Sequence, residues 1–262
     1  MTHKHAVVMY SGGIGSWAAG MRGAERYGRE NTTLLFCDTN MEDEDLYRFL
    51  HEGAEVIGVP VTIIADGRTP WEVFRDERFL GNSRVDPCSK ILKRNLADQW
   101  VASRYHPDAC IRLVGMDFCQ REKLRLETLQ ARSAPYQVDA PLFWSPPLDK
   151  DMAKLLAMKH GLRIPRLYEL GATHNNCGMA CVKAGQEQWA LLYRTIPERY
   201  AYHMAKEEEL RQYLGKDVSI LRDRRGGKSR PLTLRMFADR LENSPELPMF
   251  KDDSQESCDC FA

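Results

Sequence analysis

Along the first half of the chain, short apolar runs alternate with longer stretches in which apolar residues recur every three or four positions. The short runs, residues 7–10, 32–37, 61–65 and 110–114, read as buried strands. Residues 16–27, 43–57 and 89–105 carry the helical spacing; in the last, Ile91, Leu92, Leu96 and Trp100 fall on it. Thr69-Pro70-Trp71-Glu72 reads as a capping box with proline at the first helical position. Strand and helix in alternation predict an α/β fold: a mainly parallel five-stranded sheet flanked by helices, doubly wound. Ligands of such sheets bind beyond the carboxyl ends of the strands. Ser11, Asp38, Asp66 and Gly115 follow strands and should share that rim.

Beyond about residue 140 the pattern changes. Prolines punctuate it, and helices are expected at 149–160, 183–194, 197–213 and 232–241. The expected organisation is a nucleotide-binding α/β domain at 1–145, a helical, cysteine-containing and basic extension at 146–242, and a polar tail at 243–262.

The first strand runs directly into Ser11-Gly12-Gly13-Ile14-Gly15-Ser16 and then into a helix. Glycines let the backbone approach a ligand, and a helix start gathers N–H groups and positive potential at one point. Three or four hydrogen bonds to a charged acceptor, at roughly 1.5–3 kcal/mol each, would hold a phosphate. The spacing is neither a Walker A loop, since no Gly-Lys-Ser/Thr follows, nor the dinucleotide fingerprint.

Strand, SGGxGS turn and helix together resemble the pyrophosphatase-loop superfamily, the adenine nucleotide alpha hydrolases. Further motifs resemble its phosphoadenylyl-sulfate reductase branch: Cys37-Asp38-Thr39-Asn40-Met41-Glu42 after the second strand, Asp86-Pro87-Cys88-Ser89-Lys90-Ile91-Leu92-Lys93, Pro141-Leu142-Phe143-Trp144, Gly161-Leu162-Arg163-Ile164-Pro165 with Leu167-Tyr168-Glu169-Leu170-Gly171, and Cys177-Gly178-Met179-Ala180-Cys181. The resemblance covers roughly residues 6–185. It implies an enzyme of activated sulfur chemistry that binds ATP or an adenylyl sulfate, with Mg²⁺ as a further cofactor. The reaction would be reduction of the adenylyl sulfate or ATP-dependent sulfur transfer to nucleic acid. A thiol reductant or a sulfur-donor protein would be a partner. Members with ATP chemistry often carry Asp where this chain has Gly15. Asp38 would hold a ribose hydroxyl or Mg²⁺.

Of eight cysteines, Cys37 and Cys110 fall inside strands and read as core. Cys177 and Cys181, four apart, would share one face of a helix. With Cys88, where cluster-bearing relatives place a ligand, they would hold a 4Fe–4S cluster, His174 or a tail cysteine completing the set. Zinc on Cys88, Cys177, Cys181 and His174, redox thiols without metal, and plain core packing are the alternatives. Cys258 and Cys260 stand where reductases carry an attacking thiol on a C-terminal tail. Lys90, Lys93, Arg94 and Arg121 are candidates for neutralising a sulfate or second phosphate.

Charge alters the picture only locally. Lys+Arg and Asp+Glu number 37 each, so no bulk charge draws the chain to nucleic acid. The loop 222–230, Arg222-Asp223-Arg224-Arg225-Gly226-Gly227-Lys228-Ser229-Arg230, does so locally and is the candidate nucleic-acid contact. Without a membrane-length apolar run or room for a signal peptide before the first strand, a cytoplasmic location is expected. A non-catalytic nucleotide- or nucleic-acid-binding module with structural zinc is the alternative to an enzyme.

Overall fold

In a computed structural model describing residues 4–243, five strands form one parallel sheet in the order β3-β2-β1-β4-β5. They are β1 (His5–Met9), β2 (Thr32–Asp38), β3 (Val61–Ala65), β4 (Cys110–Leu113) and β5 (Gln137–Asp139). This is the sheet that the alternating pattern predicts. The order reverses between β1 and β4, and the crevice beyond their carboxyl ends is where such sheets take ligands.

Alternation along β1 and β2 sorts side chains onto two faces. Ala6, Val8, Tyr10, Leu34 and Phe36 pack under α1 (Ile14–Tyr27), α2 (Glu44–Ile57) and α7 (Lys150–Lys159). Val7, Met9, Leu35 and Cys37 pack against α5 (Leu96–Ala102) and α6 (Gln120–Ser133). A third core joins α3 (Pro70–Asp76) and α8 (Arg166–Glu169) to α9 (Gln186–Thr195), α10 (Pro197–Leu214) and α11 (Leu234–Asn243) around Trp71, Phe74, Trp189 and Tyr200.

The capping box forms as read: Thr69 Oγ1 accepts from Glu72 N–H, and the Glu72 carboxylate accepts from Thr69 N–H. Three local features depart from the sequence reading. The helix expected at 89–105 is a composite: a short turn α4 (Pro87–Ser89), a π-helical turn Lys90–Asn95, then α5. The basic loop 222–230 is a small antiparallel hairpin, β6 (Leu221–Asp223) with β7 (Arg230–Leu232), pinned by buried Leu221 opposite Leu232. Cys177 and Cys181 do not share a helical face, because Cys177, Gly178 and Met179 have φ of 52°, 52° and 71° and make only a tight turn. No helix of the described residues is long and apolar enough to cross a membrane.

Candidate functional site

The loop 11–16 closes β1 and opens α1 at the β1/β4 switch point. Gly13 is the N-cap of α1, without a side-chain cap, and no acid stands in the first turn. By contrast α2 begins with Glu44 and Asp45, and Asp43 caps it. The positive end of α1 is therefore neither capped nor neutralised by its own sequence. Ser16 Oγ donates to Gly13 O (2.8 Å) and accepts from Ser11 N–H (3.2 Å), which fixes the loop. Gly12 has φ +76°, and a Cβ there would stand 2.7 Å from Leu46, so both backbone and packing require glycine.

Position 15 has no room for a side chain. A Cβ would lie 2.6 Å from the carbonyl oxygen of Gly115 and 3.3 Å from Oδ1 of Asp117. An acidic side chain at this position is therefore sterically excluded. A carboxylate nevertheless stands at the spot, on the chain leaving β4. Burial raises the Asp117 pKa, and Lys150 opposes the rise. Tyr168 completes the loop's surroundings: Ile14 N–H donates to its hydroxyl (3.4 Å), and Lys150 and Lys154 lie 5.7 and 5.8 Å from its ring centroid. Sequence reasoning assigned no role to Asp117, Lys150 or Lys154. Tyr168 carried a signal, since it belongs to the Leu-Tyr-x-x-Gly motif.

A second segment reaches the loop from more than 150 residues away. Asn175 Nδ2 donates to Gly12 O (2.9 Å). His174 and Asn175 are buried, and among the described residues His174 Nδ1 and Asn175 Oδ1 have no protein hydrogen-bond partner. Buried polar atoms of this kind are otherwise rare, so a ligand or ordered water is the natural partner. Burial, with Lys150 and Lys93 adding repulsion, lowers the His174 pKa to about 4 and keeps the ring neutral.

The rim beyond β2 is more tightly built than a solvated acidic stretch. Glu42 and Lys93 form a buried ion pair at 3.3 Å, their side chains 1% and 4% exposed. Thr39 Oγ1 donates to Glu42 Oε1 (3.0 Å), and Cys177 N–H donates to Glu42 Oε2. Lys93, a candidate for neutralising a sulfate, is thus buried and paired with Glu42. The π-helical turn carries Lys93 inward and leaves its carbonyl to accept from the Cys37 thiol (3.7 Å). Asp43 does more than start a helix: fully buried, it takes a two-pronged bond from Arg166 (2.8 Å to each oxygen) and faces Arg199 at 3.5 Å. Asp38 accepts from Tyr47 Oη (2.8 Å) and Asn40 N–H (2.9 Å).

Cys177 and Cys181 meet, although not through a helix. Their thiols are hydrogen-bonded, and that bond, together with burial, pushes Cys177 well above the ordinary thiol range while Lys93 acts the other way. Cys88 packs on the same core as Cys181. Among the described residues no group of three His, Cys, Asp or Glu side chains is arranged to hold a metal. Cys37 and Cys110 are buried core, and burial pushes Cys37 up to about 12.

Lys90 and Arg94 line a separate cavity of about 530 Å³ with Arg112 and Arg132, on the α5/α6 side of the sheet. The loop 11–16 leads instead into α1, on the opposite face. Arg121 is exposed on α6. Cys258 and Cys260 lie outside the described residues.

No family model and no curated protein matches the chain. Among solved structures it is similar to a phosphoadenylyl-sulfate (PAPS) reductase from Candida auris in a phosphate complex, at 14% identity, with 63% of this chain and 77% of that chain covered and a TM-score of 0.43. The α/β fold described above rests on this chain's own strand order.

Proposed function

We propose that the chain is an enzyme of activated sulfur chemistry that holds an adenine nucleotide on the loop 11–16 and works on it with the Cys177–Cys181 thiol pair. One observation carries this reading. Asn175 is bonded to the loop at Gly12 O, and Cys177 follows two residues later, a chain reach of about 7 Å. The phosphate cradle and the thiols are therefore neighbours by construction.

With an adenylyl sulfate bound, the Cys181 thiolate attacks the sulfur. A Cys–S bond forms, the S–O bond to the phosphate breaks, and the adenosine phosphate leaves with the bond's electron pair. Cys177, deprotonated in turn, attacks Cys181 Sγ and expels sulfite, leaving a disulfide for an external thiol to reduce. Backbone N–H groups of the loop and the α1 dipole stabilise charge on the departing phosphate. Asp38, at the rim of the same crevice, would meet a ribose hydroxyl. No step is routed through an iron–sulfur cluster. ATP-dependent sulfur transfer to nucleic acid is the second reading, and the basic hairpin β6–β7 favours it.

Incubation with an adenylyl sulfate and a thiol reductant, and separately with ATP, tests the proposal. Sulfite released one-for-one with adenosine phosphate is the expected product, and Cys177→Ser should accumulate S-sulfonated Cys181 by mass spectrometry. Pyrophosphate from ATP in the presence of nucleic acid would support the second reading. Unchanged turnover in both single cysteine variants would remove the thiol pair from the mechanism.

A further inference from the structure

We infer that the cleft between segment 78–84 and the β6–β7 hairpin binds a single strand of nucleic acid. The cleft has a volume of about 490 Å³. Arg78 and Arg84 stand on one wall, and Lys216, Arg222 and Arg224 on the other. Among the described residues five cations and no carboxylate line it, Arg224 with a further partner of its own, in a chain whose charges otherwise balance. The neighbouring acids are engaged elsewhere: Asp217 with Arg211 (2.9 Å), and Asp223 with Arg225 (3.0 Å) and Arg240 (2.6 Å). Arg222 is braced by neutral oxygens of Ser229, at 3.2 Å to Oγ and 3.3 Å to O, which fix its direction without cancelling its charge. Like charges gathered this way repel one another unless a polyanion lies among them.

The rest of the lining selects the kind of polyanion. Phe79 is 39% exposed at the cleft, over a floor that includes Leu80, Leu214 and Val218. A single-strand site pairs a cationic track with an aromatic face on which bases stack. The cleft has the volume of a small-ligand pocket. A duplex is read differently, by an element inserted into its groove. The walls come from positions more than 130 residues apart, and the third core fixes them, with Leu80 packed in the same cluster as Leu214 and Val218.

The segment that carries one wall of the cleft also touches the chain next to the thiols. A Cβ at Gly81 would stand 3.1 Å from Val182, the residue after Cys181. A strand in the cleft would extend toward the thiol pair along that segment. Its delivery there as a sulfur acceptor rests on the proposed function; its binding does not.

Fluorescence anisotropy of the full chain with a short labelled single-stranded oligonucleotide, over a salt series, tests this. Binding should weaken with salt at a log–log slope of about 3, from ~0.7 per phosphate contact over the four cations Arg78, Arg84, Lys216 and Arg222. Arg84→Gln with Lys216→Gln should weaken binding roughly tenfold at low salt and reduce the slope by about 1.4. Gly13→Val should abolish adenine-nucleotide binding and leave oligonucleotide affinity unchanged, which separates failure of the loop reading from failure of this one. Absence of oligonucleotide binding would overturn the proposal. So would equal binding by the double variant, by a duplex, or by inorganic phosphate at matched phosphate concentration.

Discussion

At the residue scale, the informative exchange is between positions 15 and 117. Gly15 is packed against the backbone of Gly115, and the acid stands across the crevice on Asp117, whose pKa burial raises. A carboxylate beside a phosphate cradle repels the ligand unless a cation lies between them. Asp117→Asn should therefore bind adenine nucleotide more tightly in magnesium-free buffer, by about fivefold if the repulsion is worth ~1 kcal/mol, and gain less when Mg²⁺ is added. Calorimetric titration with and without Mg²⁺ checks this; equal Mg²⁺ dependence in both proteins would remove Asp117 from the site. Gly13 is the best probe of the loop itself. Its φ is ordinary, and a Cβ there meets only the Tyr168 hydroxyl at 3.3 Å and Ser11 Oγ at 3.8 Å.

At the element scale, Asp43 is the knot. It caps α2, takes both prongs of Arg166 from α8, and faces Arg199 on α10. It thereby joins the helix that follows β2 to the third core. Arg166 is half exposed and Asp43 fully buried. Removing the arginine leaves a buried carboxylate with the Asp45 N–H and one weaker cationic partner, which typically costs about 3–5 kcal/mol. Arg166→Leu should lower the denaturation midpoint by the lower part of that range, and adding Asp43→Asn should recover part of it. A loss below about 1 kcal/mol in chemical denaturation would show that Arg199 alone compensates the charge.

Over the whole molecule, the sheet was legible in the sequence because its signals are local. Apolar runs mark β1 to β4, a glycine turn leads into α1, and Thr69 with Glu72 announces α3. Strand β5, three residues long, and polar α6, with few apolar positions, gave no comparable pattern. The site was legible only where it is local. Loop 11–16 could be read; its contacts with Tyr168 and Asn175 span more than 150 residues, and local spacing carries no trace of them. The thiol pair was found for the wrong geometric reason: the sulfurs meet across a left-handed turn, not along a helix.

The third core adds a pH signature. His203 accepts from Trp71 Nε1 (3.1 Å), and burial, with Arg199 adding repulsion, lowers its pKa to about 3. The unfolded chain takes up this proton near pH 6.5 and the folded one only near 3. The stability is thus complete above pH 6.5 and is lost progressively down to about pH 3, by up to ~1.4 kcal/mol per pH unit. His203→Gln keeps an acceptor for Trp71 and should flatten that slope in denaturation measured across the window; an unchanged slope would place the titration elsewhere.

The most direct measurement of the central claim is nucleotide protection of Cys181 against alkylation, read peptide by peptide. An adenylyl sulfate or ATP at saturation should slow Cys181 modification at least tenfold in the native chain, leave exposed Cys119 unaffected, and give no protection in Gly13→Val. Cys181 reacting at the same rate with and without nucleotide in the native chain would contradict a phosphate cradle built beside the thiols.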